Sequence, residues 1–294
     1  MSKNMRAILL MSLSVGILAA LDSIVKIVNN LGMHPFEIVF FRNVFGLMAV
    51  VPFFMRIGFR ELRTKRLKFH VGRGCIHAAS MITWFWALTV IPLADATALS
   101  FMVPVFASIG AVFIMREKSI PMRWISIAIG FIGMIVILRP GFAEISLGTW
   151  LVLGGTIFVA TSKLMTKSLT RTESPSTIVA YMSLTLTFIS FFPAAFVWTW
   201  PTAEMWLWFV ALGSMGSVAH VIQAQSLKDG DVTLVEPAGF MRLVWAAAIG
   251  FIIFGEVPQI WSWLGAGVIM VGVLMLIRAE ARTAKSVVNK PLAN

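Results

Sequence analysis

Long apolar runs, separated by short polar connections, fill almost the whole sequence. Each run is about as long as the ~20-residue helix that crosses a bilayer. Turn-forming residues lie between many of the runs, as at Pro140-Gly141, Pro201 and Asp229-Gly230. The pattern predicts ten membrane-spanning helices, near residues 6–28, 35–55, 70–90, 94–115, 122–139, 147–169, 176–198, 204–227, 231–254 and 259–279.

An internal repeat relates the two halves of the chain. When the sequence is shifted by 139 residues, residues 101–139 fall on residues 240–278 with matching chemistry. Weak symmetry of this kind is typical of transporter folds. The matched pairs are not only apolar, and include Phe101 with Phe240, Glu117 with Glu256, Trp124 with Trp263, Gly133 with Gly272 and Arg139 with Arg278.

The repeat leads to a predicted fold. Because each copy holds five spans, an odd number, the second copy must cross the membrane in the opposite direction to the first. We therefore predict an all-α integral membrane protein with ten transmembrane helices, arranged as two inverted five-helix repeats. The first repeat covers residues 1–141, the second covers residues 142–280, and a cytoplasmic tail follows at 281–294. Two inverted copies leave a site near the midplane that either side of the membrane can reach.

Composition and charge agree with this fold. The 294 residues are 59% hydrophobic and 13% charged, which excludes an ordinary soluble domain. The net charge of +11 does not indicate nucleic-acid binding, because Lys and Arg are concentrated in alternate connections between the apolar runs. By the positive-inside rule, those connections and both termini are cytoplasmic, and the outer connections keep only Arg139.

Several ionisable side chains lie within the predicted spans, where they are costly and usually face a bundle interior or a wet cavity. Asp22 and Lys26 are four residues apart on the first span and are placed to pair directly, with Arg42 at a similar depth. We interpret the pair either as a gate or coupling site for a proton or a substrate charge, or as a buried structural ion pair. Glu236 and Arg242 are the corresponding coupling or gating candidates in the second half.

Polar and aromatic side chains recur on one face of the third span and on the equivalent face of the eighth. The spacing is helical, and the 139-residue shift maps one set onto the other. We interpret both faces as the lining of a substrate cavity, with ordinary helix packing as the alternative. The candidate substrate-binding residues on these faces are His77, Met81 and Trp84 in the third span and His220 and Gln223 in the eighth.

The fourth and ninth spans add two further candidates, Phe101 and Phe240. Pro104 and Pro237 lie in these same spans. Because a proline inside a helix removes a backbone hydrogen bond, both spans are predicted to be kinked. Kinked helices at equivalent places in the two halves are plausible moving parts of a transporter.

The motifs together carry a resemblance to a known family. They are the two five-span repeats, the segment from Pro104 to Glu117 with its counterpart ending at Gly255-Glu256, the Phe40-Phe41-Arg42-Asn43 run, and Gly133 with Gly272. In these features the chain resembles the drug/metabolite transporter superfamily, in its EamA-type branch of ten-span carriers. One departure is Leu243, which stands where the repeat would place a second proline opposite Pro104.

The resemblance implies transport of small metabolites across a bacterial cytoplasmic membrane. Members of the branch export amino acids, including aromatic ones, and others carry riboflavin, S-adenosylmethionine or nucleotide sugars. We expect a secondary transporter that exports amino acids or related metabolites by alternating access, with its site between spans three, four, eight and nine. Uptake of riboflavin or S-adenosylmethionine is the alternative.

Other functional classes have little support in the sequence. It contains no ATP-binding phosphate loop and no pattern of catalytic or metal-ligating residues, so no enzyme activity, cofactor or metal site is expected. A membrane-embedded enzyme is the remote alternative. The expected partners are a small-molecule substrate and the lipid bilayer. The glycine-rich final span of each repeat predicts close helix contact, either within one chain or across a homodimer.

Overall fold

The computed structural model describes residues 3–57, 64–116, 121–141, 144–229 and 232–288. Within these ranges, the side chains at 3–4, 50, 52–57, 175–176, 224, 227–228, 232–234, 236 and 280–288 lie outside the description. The described chain forms twelve α-helices: α1 (Lys3–Asn30), α2 (Pro35–Ile57), α3 (Leu67–Val90), α4 (Leu93–Ser100), α5 (Val103–Phe113), α6 (Pro121–Leu138), α7 (Leu147–Leu169), α8 (Pro175–Phe196), α9 (Ala203–Asp229), α10 (Val232–Gly239), α11 (Met241–Phe254) and α12 (Ile260–Val288).

Two of the predicted spans are each divided into two helices, so the twelve helices form ten spans. α4 and α5 together make the fourth span, and α10 and α11 make the ninth. Within the described residues, eight helical segments are long and apolar enough to cross a membrane. α2 and α3 supply the other two spans. The predicted all-α fold with ten transmembrane helices is confirmed.

The helices pack in the pattern that two inverted repeats require. α1 packs against α9, and the equivalent pair from the other repeat, α7 and α3, packs in the same way. α1 also contacts α10 and α11, just as α7 contacts α4 and α5. The remaining equivalent helices pair with each other, α2 with α8 and α6 with α12. Every major contact therefore has a counterpart in the other half.

The breaks in the fourth and ninth spans fall at equivalent positions of the two repeats. Phe101 lies between α4 and α5, and Phe240 lies between α10 and α11. Pro104 stands in the first turn of α5, and Pro237 lies inside α10, so each break has a nearby residue that donates no backbone hydrogen bond. The two phenylalanine rings meet, with centroids 4.4 Å apart. The predicted kinks are thus short interruptions of the helix, where the backbone keeps helical dihedral angles and forms tighter i→i+3 hydrogen bonds, and the two interruptions meet at these rings.

The two broken spans also end alike. Arg116 follows α5 with φ of 53°, and Gly255 follows α11 with φ of 67°. These residues are 139 apart and both adopt the left-handed conformation, which glycine tolerates and arginine accepts only at a cost. The same turn therefore closes the span in both repeats, despite different residues.

Glycines of α6 and α12 allow these helices to pack closely, as predicted. A Cβ added at Gly133 would lie 2.7 Å from the carbonyl oxygen of Gly265, which is too close for any side chain. Gly130 instead faces Val105 of α5, and a Cβ at Gly267 would meet nothing within 4 Å. The sequence left open whether these glycines pack within one chain or across a homodimer. The contact of Gly133 with Gly265 lies within one chain.

A large buried cluster holds α2 against its neighbours. Phe41 stacks on Phe209 of α9 with ring centroids 4.7 Å apart. Glu37, one turn earlier, is completely buried and accepts a hydrogen bond from the hydroxyl of Thr199 at 3.0 Å. Because a buried carboxylate must be hydrogen-bonded, this contact ties α2 to the segment before α9. The packing fixes the orientation of α2 and of the arginine that follows Phe41.

Candidate functional site

Asp22, Trp84 and Arg242 form one contact inside the bundle. Asp22 lies eight residues before the end of α1, about 12 Å into the span at ~1.5 Å per residue. Its Oδ2 accepts a hydrogen bond from Nη2 of Arg242 at 2.6 Å, and its Oδ1 accepts one from the indole Nε1 of Trp84 at 3.0 Å. The guanidinium carbon of Arg242 lies 5.3 Å from the centroid of the Trp84 ring. The contact joins α1, α3 and α11, and so both repeats.

This contact combines the groups that a charged, ring-bearing solute needs. It offers a carboxylate, a guanidinium and an aromatic face, which attracts cations and stacks on flat rings. The Asp22 side chain is 5% exposed and that of Arg242 is 23% exposed. The pair is therefore largely screened from water, but the arginine remains accessible from one side. A solute that carries both charges can bind either partner of the pair.

Lys26 does not pair with Asp22, and in this respect the sequence interpretation was wrong. Its Nζ forms an ion pair with Glu256, in the segment after α11, and lies 5.4 Å from the centroid of the Phe254 ring. Two residues four apart on a helix can meet, but each can also turn to a stronger partner on another helix. Here Asp22 forms its ion pair with Arg242, and Lys26 forms its ion pair with Glu256.

Glu256 also binds the start of α4. Its Oε2 accepts a hydrogen bond from the backbone N–H of Leu93 at 2.8 Å. The first N–H groups of a helix have no partner within the helix, and a carboxylate there is favourable. The same carboxyl group therefore connects α1 through Lys26 and α4 through Leu93. Glu256 is therefore an anchor of a helix end, and its counterpart in the first repeat, Glu117, lies outside the described residues.

Arg42 stands about 10 Å into α2 at ~1.5 Å per residue, in a polar part of the bundle. Its Nη1 donates to Oδ1 of Asn43 at 3.0 Å, and Asn43 in turn donates to Oγ of Ser190 at 3.3 Å. Its Nη2 lies so near α9 that a Cβ added at Gly216 would be 2.9 Å from it. The lack of a side chain at Gly216 thus makes room for the guanidinium.

His77 and His220 lie near this arginine. His77 is within electrostatic range of Arg42 and His220, and its buried Nδ1 has no hydrogen-bond partner among the described residues. His220 is within range of both Arg42 and Arg242, and is hydrogen-bonded to Gln223. His220 is exposed, and these two arginines lie on α2 and α11. The histidines therefore connect the Arg42 region with the Asp22 contact.

The other predicted site residues are more closely packed. Met81 is partly buried against the main core, and Gln223 lies 3.8 Å from the sulfur of Met11. Phe101 and Phe240 are partly buried against each other and against the cluster between α5, α6 and α12. The side chain of Glu236 lies outside the described part of the chain, so its role stays a prediction.

The sequence interpretation missed two residues that position the others. Asn43 holds Arg42, and Glu256 holds Lys26. Asn43 was visible only as part of the Phe40-Phe41-Arg42-Asn43 run, with no indication of its contact. Glu256 was noted at a span end, but its distance of 230 residues from Lys26 gives no sequence signal.

Comparison with known proteins agrees with the fold. The EamA-like transporter family matches the chain twice, over residues 5–139 and 146–278. The S-adenosylmethionine uptake transporter of Rickettsia prowazekii is 30% identical over 254 residues, which cover 86% of each chain. The riboflavin transporter of Brucella anthropi is 31% identical over 265 residues, covering 87% of this chain and 92% of the relative.

A solved structure has the same fold. It superposes with a TM-score of 0.62 at 18% sequence identity, over 96% of this chain and 97% of that chain. The family match extends over both repeats, and both relatives align over most of their own length. The chain is a multi-pass membrane protein, and it belongs to the EamA-like transporter family.

Proposed function

We propose that this secondary transporter takes up S-adenosylmethionine or a close analogue by alternating access. The observation that carries the proposal is the contact of Asp22, Trp84 and Arg242 inside the bundle. S-adenosylmethionine carries positive charge, which matches the carboxylate of Asp22, and a carboxylate, which matches an interior arginine. A flat purine ring matches the aromatic face of Trp84. Binding would replace contacts within the protein by contacts with the solute.

The names of the relatives support the proposed direction of transport and the proposed size of the solute. The expectation from sequence was export of amino acids, possibly aromatic, with uptake of riboflavin or S-adenosylmethionine as the alternative. The names of the relatives favour that alternative, since they describe uptake of S-adenosylmethionine and transport of riboflavin. The same central contact would also bind a plain amino acid, so the experiment below measures amino-acid uptake as well.

The proposed roles divide between binding and movement. His77, Met81, Trp84, His220 and Gln223 would line the solute site, with Phe101 and Phe240 where the broken spans meet. Asp22, Lys26, Arg42, Glu236 and Arg242 would serve coupling or gating, and Asp22, Arg42 and Arg242 would do so by meeting the charged groups of the solute. Broken helices at the interface of inverted repeats are where such carriers place their sites and their moving parts.

A second candidate solute is riboflavin. It is neutral, and its three fused rings offer more flat surface than a purine. Trp84, Phe101 and Phe240 supply aromatic surface on three different segments of the interior. Stacking on these rings would hold such a solute without any ion pair.

Uptake into proteoliposomes tests the proposal. The purified protein is reconstituted, and uptake of labelled S-adenosylmethionine, riboflavin, tryptophan and methionine is measured with and without a pH gradient. We expect saturable uptake of S-adenosylmethionine and a loss of at least about tenfold in Trp84→Ala, since a buried aromatic anchor is worth 2 kcal/mol or more. Trp150→Ala is the matched control, because Trp150 is 59% exposed on α7. Saturable uptake of riboflavin or of amino acids, without uptake of S-adenosylmethionine, would refute the proposed solute and identify the transported one.

Three further features belong to the same proposal. Both termini would be cytoplasmic, as the distribution of Lys and Arg indicates. The repeats would divide at residues 141 and 142, with a tail from 281 to 294, and the family matches at 5–139 and 146–278 support that division. A homodimer would need a surface other than the close contact of Gly133 with Gly265, which is used within the chain.

A further inference from the structure

Arg42 has no counter-charge in the described part of the chain. Its Nε is buried without a hydrogen-bond partner, and no described carboxylate forms an ion pair with its guanidinium. Two described carboxylates of the bundle are already paired, Asp22 with Arg242 and Glu256 with Lys26. An isolated guanidinium within a span is costly, so a solute that brings an anionic group to it would remove part of that cost.

The surroundings hold the guanidinium in place but leave it incompletely bonded. Asn43 accepts one hydrogen bond at 3.0 Å and is itself fixed by Ser190. Gly216 leaves space on the side of α9. His77 contributes a second buried nitrogen without a partner among the described residues, on the neighbouring helix α3. Arg42 on α2 and the imidazole of His77 on α3 thus both keep hydrogen-bonding capacity that no described residue uses.

We propose that Arg42, with His77 and His220 beside it, binds a carboxylate of the transported solute. A guanidinium presents two parallel N–H groups that match the two oxygens of a carboxylate. This inference rests on the proposed function and narrows its solute. S-adenosylmethionine carries a carboxylate and fits the subsite, whereas riboflavin carries none. The Asp22 contact would then receive the positively charged part of the same solute.

A pair of solutes that differ only in the carboxylate tests the subsite. Uptake of labelled S-adenosylmethionine into proteoliposomes is competed with unlabelled S-adenosylmethionine or with its decarboxylated form. We expect the wild-type protein to prefer the carboxylate form by at least about tenfold, as a charge-assisted hydrogen bond provides. Arg42→Gln should remove this preference. Arg42→Lys keeps the positive charge but lacks the two parallel N–H groups, so it should retain part of the preference for the carboxylate form.

Arg139→Gln is the matched control, because Arg139 contacts Gln259 and lies 5.5 Å from the Trp261 ring, away from this subsite. It should keep the full preference. Equal affinity for both solutes in the wild type, or an unchanged preference in Arg42→Gln, would overturn the subsite.

Failure of S-adenosylmethionine transport would refute the proposed function, and a second measurement then decides on the subsite alone. Thermal stabilisation of the purified protein is compared for methionine against methioninamide and for tryptophan against tryptophanamide. Stabilisation of the wild type by the acids alone, with no such difference in Arg42→Gln, would support the subsite. Equal shifts for acid and amide would overturn it.

Discussion

Replacement of Asp22 by Asn tests how strongly the central ion pair holds the two repeats together. The asparagine can still accept the hydrogen bond of Trp84, but Arg242 loses its counter-charge. Loss of one partner of a fully buried pair costs about 3–5 kcal/mol. Because the Arg242 side chain is 23% exposed and rests on the Trp84 ring, we expect the smaller cost of about 2 kcal/mol.

A double-mutant cycle isolates the interaction from these other effects. Free energies of unfolding are measured by SDS titration in mixed micelles for Asp22→Asn, Arg242→Gln and the double variant. We expect a coupling energy of about 1–2 kcal/mol, since the double variant leaves no unpaired charge. The partly exposed pair of Arg6 and Asp229, 3.5 Å apart with side chains 60% and 19% exposed, serves as the control and should couple by less than about 0.5 kcal/mol. Equal coupling in the two cycles would refute the reasoning.

Two other predictions follow from close packing and from the contacts of Glu256. Gly133→Ala should lower the free energy of unfolding by about 1–3 kcal/mol, because the new methyl group meets backbone atoms of α12, whereas Gly154→Ala, with nothing within 4 Å, should not. Glu256→Gln should lower the apparent melting temperature by a few degrees, since Lys26 loses its counter-charge, while the exposed Glu144→Gln should leave it unchanged. An equal response of each variant and its control, in the same SDS titration or melting experiment, would contradict these predictions.

The sequence predicted the spans well, because span length and apolar character are local properties. The predicted span at 147–169 coincides with α7, and the predicted span at 35–55 ends two residues before α2 does. The repeat was also visible, since it depends only on matching residues at a fixed separation. Pro104 and Pro237 predicted where the fourth and ninth spans bend. These features need no knowledge of which helices are neighbours.

The contacts of the candidate site could not be predicted in the same way. Asp22 and Arg242 are 220 residues apart, and their contact depends on how α1 and α11 are rotated about their axes. Successive residues of a helix differ by about 100° in direction, so an uncertainty of one residue changes which helix a side chain meets. The rule for residues four apart favoured Lys26 as the partner of Asp22, because it considers a single helix. The interhelical partners had the better geometry.

The scaffold is symmetric, but the charges within it are not. The positions that correspond to Asp22, Arg42, Trp84 and Arg242 in the other repeat are Thr161, Tyr181, Gln223 and Val103. Two similar halves favour alternating access, because each can adopt the conformation of the other. A symmetric set of charges, however, would bind one solute equally well in two opposite orientations. With an acid and two arginines at unrelated positions, the proposed site would give the solute a single preferred orientation, and the same groups would hold it whichever side of the membrane the site faces.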